Sequence, residues 1–397
     1  MKKNTFLTIL ITALTTCLIT NTVRDILYVK NSPVVTQKIN TVLNNIEKYS
    51  IYDYDENKAA DLAATGIAAS LEDPYTSYYS RDDFNNLMNN IQSTYMGIGI
   101  TLGIDEATNK LHIISVVENQ TAHKHGLLAG DFILSVDGVE YRGDRLSDAS
   151  NAIKGIHLDN IEGTAVTLTI ERNGEIFDLT VPRGLITVDS VSSKLLDNDI
   201  GYVKITQFNS KSHENPDSKD TYNEFVDHMT FLQKNNIRSL IIDLRNNPGG
   251  DLDVVTNIAD YLLPDCIITY TEDKNGKRTD YNSDENAVSL PIVVLVNNNS
   301  ASASEVLSGA LKDYNKATLI GEKTFGKGVV QTVVPLYDGS GMTITSARYF
   351  TPSGECIHEK GIEPNITVPL NTDKPLSELT TEEDLQLQKA IEVLSSK

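Results

Sequence analysis

Three runs in the second half of the chain are continuously apolar and rich in β-branched residues: SLIIDLR (239–245), PIVVLVN (291–297) and ATLIGE (317–322). A strand without polar alternation is buried on both faces. Segments of helical period, 251–262 and 302–314, lie between the runs, and a strand at Ile200–Ile205 and a helix at 222–235 precede them. Strands joined through helices are parallel crossovers, so the spacing predicts a helix-covered, mostly parallel α/β sheet. Loops at the carboxyl ends of such strands gather along one edge, where α/β proteins place their sites. Three loops qualify here: RNNPGG (245–250), NNNSASASE (297–305) and KTFGKGVVQ (323–331).

The chain has 397 residues, too many for one ordinary core, and the rest of it reads differently. Lys2 and Lys3 precede fifteen uncharged residues, 6–20, followed by Asn21, Arg24 and Asp25. A basic start and an apolar stretch of this length make residues 1–31 an export signal or a retained membrane anchor, and place the remainder outside the cytoplasmic membrane. Residues 32–93 read as helical: Val35, Ile39, Val42, Leu43 and Ile46 recur at three- and four-residue spacing, a second run covers 58–71, and Pro74 breaks the pattern. From Tyr95 the period becomes strand-like, with Asn173-Gly174 as a hairpin turn between two alternating strands. This β-rich unit spans 94–183, the α/β core 184–370, and an amphipathic tail 371–397.

A formal net charge of −20 excludes a nucleic-acid partner, whose phosphates would be repelled. The three cysteines, Cys17, Cys266 and Cys356, lack metal-type spacing and read as free thiols, so no metal and no cofactor is expected.

The chemistry falls to the three loops. The serine string 300–304 stands at a strand-to-helix turn, where unpaired N–H groups can stabilise an oxyanion. The same string also reads as a plain N-cap, with Glu305 completing a capping box. All seven histidines lie outside the three loops, which argues against a Ser-His-Asp triad. Lys327, between Gly326 and Gly328, is the remaining candidate for a base, although a lone GKG reads by itself as a solvated loop lysine. It acts as a base only when burial brings its pKa down from about 10.4. No G-x-x-x-x-G-K-[ST] is present, which excludes a P-loop. Gln331 lies about 13 Å from Lys327 along an extended strand, so the two meet only if the backbone bends. RNNPGG supplies two residues without Cβ that permit close backbone approach.

Residues 95–183 resemble a bacterial-type PDZ domain through GIGI (97–100), LLAGD and ILSVDG, although TAHKHG replaces the usual Pro-Ala-x-x-Ala-Gly. In that family the segment matching Gly97, Ile98, Gly99 and Ile100 presents backbone N–H groups to a terminal carboxylate while the peptide adds as a strand. Nearly the whole chain after the leader resembles the carboxyl-terminal processing proteases, through SLEDPYTSYY, DLRNNPGGDLD, SASASE, FGKGVVQ and ITSARYFTPSGECIHEKGIEPNI. That resemblance implies a crotonase/ClpP-like core, Ser302 as nucleophile, Lys327 as general base and Gln331 as the residue that positions it. It further implies Gly249 and Ala303 as oxyanion donors, substrates with free C-termini, and a homodimer through the N- and C-terminal helices. Ser300 and Ser304 are then structural. Two other readings stand beside it: a catalytically idle PDZ scaffold, and a crotonase-like acyl-CoA enzyme. The export leader, the PDZ unit and the joint presence of Ser302, Lys327 and Gln331 speak for the peptidase.

Overall fold

The computed structural model describes residues 33–91, 94–105, 107–155, 163–211, 218–370 and 374–395. The expected signal or anchor, 1–31, lies outside them, and no helix among the described residues is long and apolar enough to cross a membrane. The chain divides into two units, Met1–Ala63 and Ala64–Lys397. In the first, α1 (Pro33–Tyr49) starts on a proline, which fits a position whose N–H needs no partner. α2 (Glu56–Ala69) starts on an acid that suits the positive end of a helix, and it continues past Ala63.

The second unit opens with a feature the sequence reading lacks. After Pro74 the chain forms a short strand, β1 (Ser77–Tyr79), before α3 (Arg81–Ile91). The PDZ unit follows: β2 (Thr94–Gly97), β3 (Ile100–Asp105), β4 (Lys110–Val116), α4 (Thr121–Lys124), β5 (Phe132–Val136), β6 (Val139–Glu140), α5 (Leu146–Lys154), β7 (Ala165–Arg172), β8 (Glu175–Pro182) and β9 (Gly184–Thr187). β9 pairs antiparallel with β2, so the unit leaves the chain beside the point where it enters. Asn173 and Gly174 both have positive φ (53° and 84°), as a two-residue hairpin turn requires. Ile98, Leu111, Ile113, Ile133, Leu168 and Ile170 form a core of the unit's own.

Next come β10 (Val191–Leu196), β11 (Ile200–Ile205), α6 (Thr221–Lys234), β12 (Ser239–Asp243), α7 (Leu252–Leu262), β13 (Ile267–Asp273), β14 (Arg278–Asn282), β15 (Ile292–Val296), α8 (Ala303–Asp313), β16 (Ala317–Gly321), β17 (Val329–Pro335), β18 (Gly341–Phe350), β19 (Ile366–Thr367) and α9 (Leu385–Ser395). One sheet runs β10-β11-β12-β15-β16-β19, antiparallel at its first pairing and parallel at the others. Every residue of β12 and β15 is buried, because alternate side chains enter two different cores. Leu240, Ile242 and Val294 face residues of α6, α7 and α8. Ile241, Val293 and Leu295 face Leu387, Ala390 and Leu394 of α9.

One expectation needs correction here. A mostly parallel sheet does not describe the α/β core. Its second sheet, β1-β18-β13-β14 with β17 on β18, is antiparallel throughout, as is the PDZ sheet, so antiparallel pairing predominates. Short turns join β13 to β14 and β17 to β18, and hairpins of that length can only reverse the chain. The amphipathic tail, which suits either a dimer contact or its own core, packs here on its own core: Leu387, Ala390 and Leu394 of α9 cover this chain's sheet.

Candidate active site

The loops after β12 and β15 are stitched together by side chains. Asn246 N–H donates to Asn297 Oδ1 (2.9 Å), and Asn297 Nδ2 and Asn299 Nδ2 both donate to Asn246 Oδ1 (2.8 and 3.0 Å). Gly249 has φ +107°, and a Cβ there would stand 2.8 Å from Ala301 O and from Ser302 Cβ. At Gly250 it would stand 2.0 Å from Phe208 O. The two glycines are therefore demanded by the protein's own backbone, which closes in on them before any substrate does.

The three serines separate cleanly. Ser300 is buried, donates from Oγ to Leu244 O (2.8 Å) and accepts from Asn297 N–H (3.0 Å). Ser304 is buried and donates to Asn247 O (2.9 Å). Ser302 is partly exposed, with φ 55° and ψ −116°. An ordinary N-cap is extended, so this backbone is not a cap's geometry. Such a conformation costs on the order of 1–3 kcal/mol in a non-glycine residue and persists only where its surroundings enforce it. Two contacts enforce it: Tyr349 Oη donates to Ser302 O (3.0 Å), and Ser302 N–H donates to Glu305 Oε2 (2.9 Å).

Glu305 does far more than complete a cap. It is fully buried, and its carboxylate also accepts from Thr324 Oγ1 (2.6 Å), Gly326 N–H (2.8 Å) and Lys327 N–H (2.9 Å). One side chain thus ties the serine turn to the lysine loop. Burial pushes its carboxyl above the usual range, against the pull of those four donors. The only forewarning in the sequence is an acid three residues after Ser302, which a capping box explains equally well.

The Lys327 side chain is held mostly out of water. Burial pushes its amine below the usual lysine range, while Asp73 and then Glu305 pull it back up. Its Nζ stands 4.9 Å from the centroid of the Tyr75 ring. Gln331 lies on β17 just after a register shift at Val330, and its Nε2 reaches Thr345 Oγ1 at 3.4 Å. Among the described residues no hydrogen bond joins Lys327 Nζ to Ser302 or to Gln331. Catalytic contacts of that kind commonly tighten only when substrate is bound. The two expected oxyanion donors also differ. Ala303 N–H is one of those a helix leaves unpaired at its start, whereas Gly249 N–H donates to Asn247 Oδ1 (2.9 Å).

In the PDZ unit the four residues Gly97, Ile98, Gly99 and Ile100 are not equivalent. Gly97 belongs to the β2–β9 pairing, and the Ile98 side chain is in the core. Ile98 O accepts from Ala122 N–H (2.8 Å) and Thr121 Oγ1 (2.9 Å), and Gly99 turns the chain with φ +83°. Ile100 opens β3, which among the described residues pairs only with β4, so its other edge carries no described strand and could accept an added one. No group of His, Cys, Asp and Glu among the described residues is arranged to hold a metal ion.

Comparison with known proteins finds relatives along most of the chain. Residues 199–368 match peptidase family S41, and residues 95–182 match the PDZ domain. The carboxyl-terminal-processing protease of Synechocystis sp. is 34% identical over 359 residues, covering 88% of this chain and 80% of that one. The carboxy-terminal processing protease CtpA of Bacillus subtilis is 33% identical over 336 residues, 84% of this chain and 69% of that one. A solved Bacteroides fragilis protein assigned to the S41 proteases shares the fold, with a TM-score of 0.58 at 18% identity over 88% of this chain and 93% of that one.

Proposed function

This chain belongs to the carboxyl-terminal processing proteases of peptidase family S41, and from its membership as a PDZ-containing serine-type peptidase we propose how it works. It cleaves polypeptides near free C-termini, outside the cytoplasmic membrane, through an acyl-enzyme on Ser302. Ser302 Oγ attacks the scissile carbonyl carbon as its proton passes to the neutral amine of Lys327. The oxyanion is taken by Ala303 N–H and by Gly249 N–H, which exchanges Asn247 Oδ1 for it. Collapse expels the amine product, which leaves with the proton from Lys327. Water, deprotonated by the same lysine, then releases the acid product and restores the hydroxyl. Gln331 Oε1 orients the amine without adding a charge that would raise its pKa.

One observation carries this reading: a single buried carboxylate, Glu305, accepts hydrogen bonds from the backbone of both Ser302 and Lys327. Recognition is assigned to the free edge of β3 and the N–H groups around Gly99. The basic start and the uncharged stretch 6–20 in the sequence support the extracytoplasmic location.

The test is active-site labelling combined with tail processing. A fluorophosphonate should modify Ser302 in the full chain and not in Ser302→Ala, and a free-acid tail should be processed faster than its amidated twin. Labelling that survives in Ser302→Ala would move the nucleophile elsewhere. Equal processing of the two tails would remove C-terminal recognition and leave the nucleophile untouched.

A further inference from the structure

The slot that receives the Lys327 amine is completed by a segment from the far side of the PDZ unit. Residues 73–76 are fastened to β18. Thr343 Oγ1 donates to Tyr75 O (3.0 Å), Thr345 N–H donates to Thr76 Oγ1 (3.1 Å), and Thr76 Oγ1 donates to Asp73 Oδ2 (2.6 Å). β1 continues the attachment by pairing Ser77 with Thr343. Thr76 and Thr343 are both buried, so the segment takes its position from the strand pair that carries Gln331. The Tyr75 ring then faces Lys327 Nζ at 4.9 Å and has His358 beyond it, ring centroids 6.3 Å apart.

We propose that Tyr75 and Asp73 are positioning residues for the general base: the ring closes one side of the Lys327 slot against water, and the carboxylate beside it limits how far the slot disfavours the ammonium. The inference rests on Lys327 being the base. The charged groups facing the amine are Asp73, from this segment, and Glu305, from α8. Glu359, in the loop after β18, faces Tyr75. Asp73 and Tyr75 therefore act on the amine in opposite senses. The ring strips water from the cation, a loss its π-electron face offsets only in part, and the carboxylate stabilises it. Thr345, which accepts from Gln331 Nε2 and donates its own N–H to Thr76, links the same segment to the amide that orients the base.

The test is the pH dependence of Ser302 acylation by a fluorophosphonate and of kcat/KM for a short peptide, in the full chain. The parent rate should rise with pH as the lysine loses its proton. Asp73→Asn should move that rise to lower pH, so that at a fixed pH on the limb acylation is roughly threefold or more faster relative to its own plateau. Tyr75→Ala should move the rise to higher pH and slow acylation at that pH by a similar factor. Tyr75→Phe, which keeps the ring and guards against a folding defect, should leave the midpoint in place. Midpoints that stay put in both Asp73→Asn and Tyr75→Ala, whatever their plateaus, would overturn the proposal alone. Lys327→Ala acylated with the parent's own pH profile would overturn the base assignment and the proposal with it.

Discussion

The PDZ loop at 97–100 and the serine turn at 300–305 are both short connections that present backbone groups, yet they are anchored by different forces. Ile98 sinks one apolar side chain into the PDZ core, and the loop is otherwise held through backbone carbonyls, Ile98 O and Gly99 O. Ser302 is flanked by buried polar side chains on both sides: Ser300 reaches the end of β12, Ser304 reaches Asn247, and Glu305 gathers four donors. Apolar packing fixes a volume, and its energy changes slowly with small displacements. Hydrogen bonds fix directions. A groove that accepts many peptides is served by the first kind of anchor, and a strained residue that must aim one oxygen is served by the second.

The largest effect that separates the two regions belongs to Ser302→Ala. Peptide hydrolysis should fall by about 10⁴-fold or more with the fold intact, as read by initial rates and by an unchanged melting curve. Survival of the activity would mean that the polar scaffold aims some other group. Glu305→Gln should come next. The amide turns an acceptor into a donor facing either Ser302 and Lys327 N–H or Thr324 and Gly326. Both kcat and about 3 kcal/mol of stability should then be lost in kinetics and urea unfolding. A stable but slow Glu305→Gln would restrict the carboxylate's role to the chemistry.

Ser304→Ala should cost about 1–2 kcal/mol through a weakened partner for Asn247 O, while labelling at Ser302 persists. The smallest global effect is expected in the PDZ loop. Gly99→Ala forces a Cβ into positive φ and to 3.1 Å from Gln120 Cβ, a local strain of about 1–2 kcal/mol. Processing of long free-acid tails should drop, and hydrolysis of short peptides should not. A parallel loss of both would show that the two loops are not independently anchored.

The same contrast explains what could be read without coordinates. Ser302, Lys327 and Gly249 stand in loops after buried strands, and local pattern is enough to find such loops. The strands of the central sheet were legible for the same reason, since β12 and β15 are apolar on both faces. Glu305 was visible only as a cap, because a sequence does not tell which N–H groups from twenty residues away converge on a carboxylate. Asp73 and Tyr75 were harder still. Their partners lie on β18, beyond the whole PDZ unit, and three residues of β1 carry too little pattern to announce a pairing so distant. The second sheet went unread because β14 and β18 carry polar residues at many positions and no continuous apolar run.

Arg245 is 4% exposed and stands directly before the Asn246–Gly250 turn. Its guanidinium holds Asp243 on its own side, and Asp384 (2.8 Å) and Gln386 (3.0 Å) at the start of α9. α9 is synthesised after every strand it covers. Until it docks, this cation lacks two of its partners, and the apolar face of β12 and β15 lacks its lid. The consequence is one of timing. The turn that carries Gly249 receives its final brace only when the chain through residue 394 is available to fold, so a nascent or shortened polypeptide carries the serine and the lysine before the Gly249 turn beside them is fixed.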